Sequence, residues 1–337
     1  MINLAVIGAG DWGKNLIRNF SQLPDVNFSI CCDLDDKRLQ YIRTHYPQLK
    51  LTKDPQDIFN DAKIDAVVIC SSAVSHYQLA RAALESGKHV FVEKPLTLKV
   101  SDAEHLVKLT DENKKVLMVG HLLKYHPAVT KLKTLIDSGE IGDIFYVYSQ
   151  RVNLGKIRHD ENALWSFAPH DLAIILYLLG EEPVEVTARG EAYLQPNIAD
   201  VVFVNLTFPD KKMAHVHLSW LDPHKERKLT VVGSKKMVVF DDMESSDKIK
   251  IYDKGADRAP GYETYAEYIT LRSGDVIIPA LKLTEPLKNE CLHFIDCIKN
   301  NKTPLSDGRD GLKVVKILTA AQQSLEQGGK PVRISNH

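Results

Sequence analysis

The sequence predicts an α/β protein in two parts. An N-terminal doubly wound parallel sheet occupies residues 1–120, and an α+β domain with a large, mostly antiparallel, open-faced sheet occupies 121–337. Three observations carry this expectation. The first 120 residues alternate short, wholly apolar runs with helical stretches, and strands apolar on both faces belong to a parallel sheet covered by helices on each side. After Gly120 the pattern changes to β-rich runs separated by turns such as Pro209-Asp210 and Gly233-Ser234, which mark hairpins. A length of 337 residues also exceeds what one core commonly organises.

In chain order, apolar strand runs fall at Leu4–Ile7, Phe28–Cys32, Ala66–Cys70, His89–Val92 and Val116–Val119. Helices are expected at Lys14–Gln22, His76–Ser86 and Ala103–Asn113, the last two closed by Ser86-Gly87 and Asn113-Lys114. Ser101-Asp102-Ala103-Glu104 has the spacing of a capping box at the start of the third. Pro127, tolerated at a first helical position, opens a helix that runs to Ser138-Gly139. Ile144–Val152 reads as a strand, and Pro169-His170 as the opening of an apolar helix that ends at Gly180. β-rich runs follow from Val184 to about Tyr252. Gly255–Pro279 mixes Gly, Pro and aromatics and reads as a long loop. Helices near Glu285–Lys299 and Leu312–Glu326 finish the chain.

Composition narrows the function classes. Hydrophobic residues are 44% and charged residues 26%, and 43 Lys plus Arg balance 44 Asp plus Glu, so no net field draws the chain to nucleic acid or a membrane. The longest apolar stretch, Leu172–Leu179, is far short of a bilayer span. Met1–Ile7 reads as a first strand rather than a signal peptide, which predicts a cytoplasmic protein. The five cysteines form no CxxC pair, so neither a disulfide framework nor a zinc knuckle is expected. His215 and His217 share a strand face without cysteine or carboxylate partners at ligand spacing; they read as polar packing, and no metal site is predicted. Trp165 and Trp220 read as core or interface anchors.

Gly8-Ala9-Gly10-Asp11-Trp12-Gly13 joins the first strand to the first helix. Gly8 permits the tight turn, Gly10 lets backbone approach a pyrophosphate, and Gly13 allows close helix–strand packing. The helix N-terminus then offers N–H groups to the phosphates. Asp33, ending the second strand, is placed to accept both ribose hydroxyls of NAD and to repel the extra phosphate of NADP. These features predict a Rossmann domain that binds NAD in preference to NADP. Ser71, Ser72 and His76, after the third apolar run, are expected to line the nicotinamide half of the groove, whereas Arg38 reads as an exposed helix residue.

Glu93-Lys94-Pro95 follows the strand His89–Val92 directly, at the carboxyl edge where open parallel sheets bind ligands. With the glycine loop and the β-rich second half, this turn resembles the Gfo/Idh/MocA oxidoreductases, the family of glucose–fructose oxidoreductase and inositol dehydrogenase. The resemblance implies that Lys94 contacts the reacting hydroxyl and that His170 acts as acid and base, with Glu93 at the cofactor. The family's usual aspartate four residues before this histidine is Ser166 here, a side chain that can hydrogen-bond a sugar hydroxyl but carries no charge. Asp171 reads as an N-terminal helix charge.

Gly10–Leu16, Gly120–Pro127, Asn153–Arg158, Leu164–Asp171 and His217–Pro223 further resemble the UDP-N-acetylglucosamine 3-dehydrogenases of this family. Those enzymes produce a 3-keto sugar for an aminotransferase, in routes to bacterial surface glycans including lipid A. A sugar-nucleotide substrate fits Arg151, Asn153, Lys156 and Arg158, whose cations can neutralise a diphosphate, although the same segment reads equally as a solvated loop. Lys124 and Tyr125 are expected at the substrate cleft, Tyr125 against the sugar. Other readings are a ketosugar reductase, a dehydrogenase of the corresponding uronate or of a polyol, and a non-catalytic NAD-binding regulator. An open sheet face, together with the family resemblance, implies a homodimer or homotetramer.

Overall fold

The computed structural model describes residues 1–258 and 269–334. The chain divides into two compact units, Met1–His126 with Thr284–Lys316 and Pro127–Leu283 with Ile317–His337. The single boundary expected at residue 120 therefore misses a return of the chain to the first unit. The returning segment has an amphipathic pattern, but pattern alone does not name the sheet a helix packs against.

In the first unit six strands alternate with helices: β1 (Ile2–Ile7), α1 (Gly13–Ser21), β2 (Val26–Cys32), α2 (Asp36–His45), β3 (Lys50–Thr52), α3 (Gln56–Phe59), β4 (Ala66–Ile69), α4 (Ala73–Glu85), β5 (His89–Glu93), α5 (Val100–Asn113) and β6 (Leu117–Gly120). They form a sheet of order β3-β2-β1-β4-β5-β6, every pair parallel. Successive strand residues point to opposite faces, so β1 feeds two separate cores. Leu4 and Val6 join Phe20, Phe91 and Phe294 on one side, while Ala5 and Ile7 join Val90, Val92, Ala83 and Leu106 on the other. Phe20, Phe91 and Phe294 meet edge-to-face, with centroids 5.7–6.2 Å apart. Burial on both faces explains why these strands read as unbroken apolar runs. The short edge strand β3 carries no such run and escaped the pattern. The expected capping box is absent as well, because α5 starts at Val100, places Ser101 inside the helix and has no side-chain cap.

The second unit contains α6 (Pro127–Asp137), β7 (Ile144–Val152), α7 (Ala163–Leu179), β8 (Glu185–Glu191), β9 (Val201–Thr207), β10 (Met213–Ser219), β11 (Glu226–Gly233), β12 (Met237–Asp241), β13 (Ile249–Arg258) and β14 (Ile269–Ile277). Near the C-terminus follow α8 (Pro286–Asn300), which belongs to the first unit, α9 (Gly308–Glu326) and the short strand β15 (Val332–Arg333). The sheet order is β14-β13-β12-β11-β7-β10-β9-β8-β15, and among the described residues β7–β10 is its one parallel pair. Two expectations need correction. α7 begins six residues before Pro169, capped by the Asn162 side chain, which accepts from the Trp165 N–H at 3.1 Å. The proline lies inside the helix, costing one backbone bond rather than starting it. Gly255–Pro279 is not one long loop either, because β13 extends to Arg258 and β14 starts at Ile269; residues 259–268 lie outside the described ones. From 270 to 277 nearly every residue of β14 is exposed, so no alternation marks it.

Candidate active site

The glycine loop has the geometry that a dinucleotide requires. Gly8 has φ +104°, and a Cβ there would lie 2.7 Å from the backbone of Cys70. A Cβ on Gly13 would lie 2.2 Å from the Gly8 carbonyl oxygen, so this glycine sets how closely α1 approaches β1. A Cβ on Gly10 would meet only the Arg38 guanidinium, at 3.7 Å. No side chain caps α1, which leaves its positive N-terminal end to an anion. Asp33, just past β2, is buried; its Oδ2 accepts from the Ala9 N–H at 2.6 Å and its Oδ1 from the Asp35 N–H at 2.9 Å. A carboxylate offers about four acceptor positions, so Asp33 pins the loop and retains capacity for ribose hydroxyls. Arg38 is half exposed, as expected, and also pairs with Asp33 at 3.5 Å. Asp11 and Trp12 stand exposed on the loop, and the Trp12 indole N–H donates to Glu93 Oε1 at 2.5 Å. The loop and the Glu93 turn are thereby joined.

At the carboxyl edge of the sheet, Ser72 is exposed and the Ser71 hydroxyl meets that of Ser75 at 2.7 Å. His76 does not line the groove. Its ring is buried, with Nδ1 2.8 Å from the Pro95 carbonyl oxygen and Nε2 3.2 Å from that of Ser71, so it braces the Glu93-Lys94-Pro95 turn. Burial pushes its pKa down, against the two carbonyl contacts, which favour the protonated ring. Lys94 is half-buried at the turn. Glu93 is buried and pairs in register with Gly120, where a Cβ would fall 2.9 Å from its carboxyl group. Burial pushes Glu93 up to about 7, against the Trp12 hydrogen bond and the Lys94 charge.

Two residues expected at the substrate cleft sit in the interior of the first unit instead. Lys124 is buried and donates to Asp310 Oδ1 at 2.7 Å and to the Leu305 carbonyl at 2.8 Å. Tyr125 is buried, its hydroxyl 2.9 Å from Ser306 Oγ. His121 went unnoticed in the sequence. The residue after Gly120, it occupies on β6 the place Lys94 occupies on β5, since Glu93 pairs with Gly120. Its ring is buried, and neither nitrogen finds a hydrogen-bond partner among the described residues. Burial, then the charges of Lys124 and Lys94, push it down to about 3.

In the second unit, His170 is half-buried on α7, with the buried Ser166 one turn earlier on the same side. Asp171 is not the N-terminal helix charge expected, because α7 starts eight residues earlier at Ala163 and places it buried in mid-helix. It accepts from Ser149 Oγ at 2.5 Å and from Arg151 Nε at 2.5 Å, tying α7 to β7. Arg151, expected to meet a diphosphate, is committed to this buried pair through Nε and Nη2. Asn153 is half-buried, its N–H donating to the Ser219 carbonyl at 3.0 Å. Lys156 is exposed, and Arg158 lies 3.6 Å from Glu161. Trp220 is fully buried, whereas His217 lies under Phe203 with ring centroids 4.5 Å apart.

Residues 2–121 match the model described as the oxidoreductase family, NAD-binding Rossmann fold, and residues 129–239 match the Gfo/Idh/MocA C-terminal domain. The chain belongs to the Gfo/Idh/MocA oxidoreductases. It is 26% identical to a myo-inositol 2-dehydrogenase of Thermotoga maritima, over 97% of each chain. It is likewise 26% identical to a UDP-N-acetylglucosamine 3-dehydrogenase of Acidithiobacillus ferrooxidans, over 79% of this chain and 80% of that one. A solved structure of a UDP-N-acetylglucosamine 3-dehydrogenase from that organism superposes with a TM-score of 0.81 at 23% identity, covering 97% of this chain and 98% of that one. The scyllo-inositol dehydrogenase of Lactobacillus casei, solved with NAD(H) and scyllo-inositol, gives 0.82 at 21% identity over 99% of each. Membership of the Gfo/Idh/MocA family makes this chain an oxidoreductase with a nicotinamide-binding first unit. No helix among the described residues is long and apolar enough to cross a membrane.

Proposed function

We propose that the protein oxidises a ring secondary hydroxyl of a nucleotide sugar with NAD, and that its substrate is UDP-N-acetylglucosamine, converted to the 3-keto sugar. The observation that carries the reading is Lys94 at the carboxyl end of β5, on the sheet whose β1 end presents the glycine loop and whose Glu93 is bonded to Trp12 of that loop. Support for the substrate comes from the relative named for this reaction and from two cations of the second unit, the exposed Lys156 and the half-buried Arg158 beside Glu161.

A bound nicotinamide supplies the hydride acceptor. The remaining work falls to side chains of this chain. The uncapped end of α1 binds pyrophosphate, and Asp33 accepts ribose hydroxyls; a 2′-phosphate in their place would face a carboxylate, which favours NAD over NADP. The Lys94 ammonium stabilises the developing alkoxide. His170 takes the hydroxyl proton, a task suited to imidazole near neutral pH. Ser166 offers a hydroxyl where a carboxylate would have raised the basicity of His170.

The test is NADH absorbance with UDP-N-acetylglucosamine and NAD, with hydroxylamine present to trap the ketone. His170→Ala and Lys94→Ala should each lower kcat about a hundredfold or more while NAD binding persists. A second reading has specific support, because a relative covering 97% of each chain is an inositol dehydrogenase. NADH formation with myo- or scyllo-inositol and none with the sugar nucleotide would move the substrate to a polyol. NAD binding without turnover on any sugar or polyol would leave a cofactor-binding regulator.

A further inference from the structure

We propose that Glu93 and Glu290 form one proton-holding pair behind the Lys94 turn, and that this pair takes up or releases a proton as the bound nicotinamide ring changes charge. The inference rests on the nicotinamide reading of the first unit and concerns that unit alone.

The pairing follows from strand and helix periodicity. Phe91 and Glu93 lie on one face of β5, two residues apart, and Glu290 and Phe294 lie on one face of α8, four apart. The Phe91 and Phe294 ring centroids lie 5.7 Å apart, and the charge of Glu93 reaches Glu290, which puts the two carboxyl groups beside this buried contact. Glu290 is fully buried, and neither of its carboxyl oxygens has a hydrogen-bond partner among the described residues. Glu93 is different: Oε1 accepts from the Trp12 indole and Oε2 from the Lys94 N–H at 3.3 Å. Stabilisation of negative charge is thus concentrated on Glu93. Burial, and then the charge of Glu93, push Glu290 well above the usual carboxylate range. Two like charges cannot both be held in such surroundings, so the pair keeps one proton, chiefly on Glu290.

The other groups in this field leave the pair as its titrating element. Lys94 is the cation beside Glu93. Cys70 at the end of β4 and Cys291 on α8 feel the Glu93 charge, and Tyr125 feels that of Glu290; burial pushes all three up, so they stay neutral. Trp12 ties the Glu93 carboxylate to the cofactor loop. The oxidised ring carries one positive charge and the reduced ring none, so reduction removes a charge that favours ionised Glu93. The pair then takes a proton from solvent. No covalent bond of the substrate is involved, and the hydroxyl proton still goes to the catalytic base. By reciprocity, the preference for NAD over NADH should grow as pH rises and the pair ionises.

The experiment measures Kd for NAD and for NADH from about pH 6 to about pH 8.5, with proton uptake counted by calorimetry in buffers of different ionisation enthalpy. In wild type the ratio Kd(NADH)/Kd(NAD) should rise by about tenfold across this range. Glu93→Gln should flatten it and abolish the proton uptake. Glu290→Gln, a neutral amide for a neutral acid, should keep it, whereas Glu290→Leu should move its midpoint to higher pH. A ratio independent of pH in wild type, or unchanged in Glu93→Gln, overturns the proposal. Wild-type behaviour in Glu290→Leu reduces Glu290 to core packing and also overturns the pair. Should Glu290→Leu not fold, the proton count in wild type against Glu93→Gln decides. Wild type that binds neither form removes the nicotinamide reading itself, and the inference with it.

Discussion

His121 sets a residue-scale constraint that the fold must meet at every pH. Its folded pKa of about 3 lies below the unfolded value of about 6.5, so the unfolded chain binds the proton more readily. The sign follows directly: stability is present above about pH 6.5 and is lost as pH falls through the window toward 3. Glu93 acts oppositely, because its raised value favours the folded state at low pH and that contribution is lost as pH rises through about 7. Replacing His121 with Phe keeps an aromatic ring of similar size and removes the titrating group. Between about pH 7.5 and pH 5 the His121 contribution should cost wild type about 2 kcal/mol that His121→Phe does not lose. Denaturant unfolding at the two pH values measures it, and equal losses in both proteins would refute the assignment. Lys94 and His170, the proposed catalytic groups, stand out in the sequence because a motif carries them. Lys124 and Arg151 were misread because their partners, Asp310 and Asp171, lie 186 and 20 residues away in sequence. A basic residue looks the same whether it faces a diphosphate or a buried carboxylate. His121 gave no sign, since lacking a hydrogen-bond partner is a property of packing and not of spacing.

At the scale of elements, the three loop glycines have separable jobs. Gly13→Ala drives a Cβ into the Gly8 carbonyl oxygen, and backbone on both sides leaves little room to yield. Overpacking of this kind costs about 1–3 kcal/mol, so the variant should melt lower and bind NAD more weakly by about fivefold to a hundredfold. Gly10→Ala meets only the end of the Arg38 side chain, and its melting temperature should match wild type while NAD affinity falls. Thermal melts with NAD titration separate the two, and equal destabilisation by both would remove the distinction. The strands β1, β2, β4, β5 and β6 were readable because both faces are buried, and α6 and β7 because Pro127 and an apolar run mark them. β14 was unreadable for the opposite reason, having no buried face to impose a pattern. In α7 the proline signal misled, because packing of a helix with twelve buried residues tolerates one lost backbone bond.

Among the described residues, one side of the second unit's sheet is not covered by helices, and this bears on how the molecule should behave in solution. Val147, Val204, Val216 and Leu218 are fully buried on one face, against α7. One residue along each strand, the opposite face shows Tyr146, Tyr148, Phe203 and Met213, with 42–58% of each exposed. These are neighbours across the sheet, Met213 beside Tyr146 and His215 beside Tyr148 in register, with Phe203 stacked on His217. Toward β12 and β13 the surface turns polar, where Lys228 and Asp241 pair at 3.5 Å and Lys250 and Glu244 at 3.4 Å. An apolar centre with a charged rim is the anatomy of a protein interface. We expect a second copy of this chain to cover it, and light scattering at micromolar concentration should give the mass of a dimer or tetramer. Tyr148→Asp with Met213→Asp would place two charges at the centre of that contact while leaving the buried face untouched. Truncated or charged hot-spot positions commonly cost 2 kcal/mol or more, about thirtyfold in Kd, so the double variant should run as a monomer with an unchanged circular dichroism spectrum. A wild-type monomer at these concentrations, or a double variant that still associates, would place the contact elsewhere.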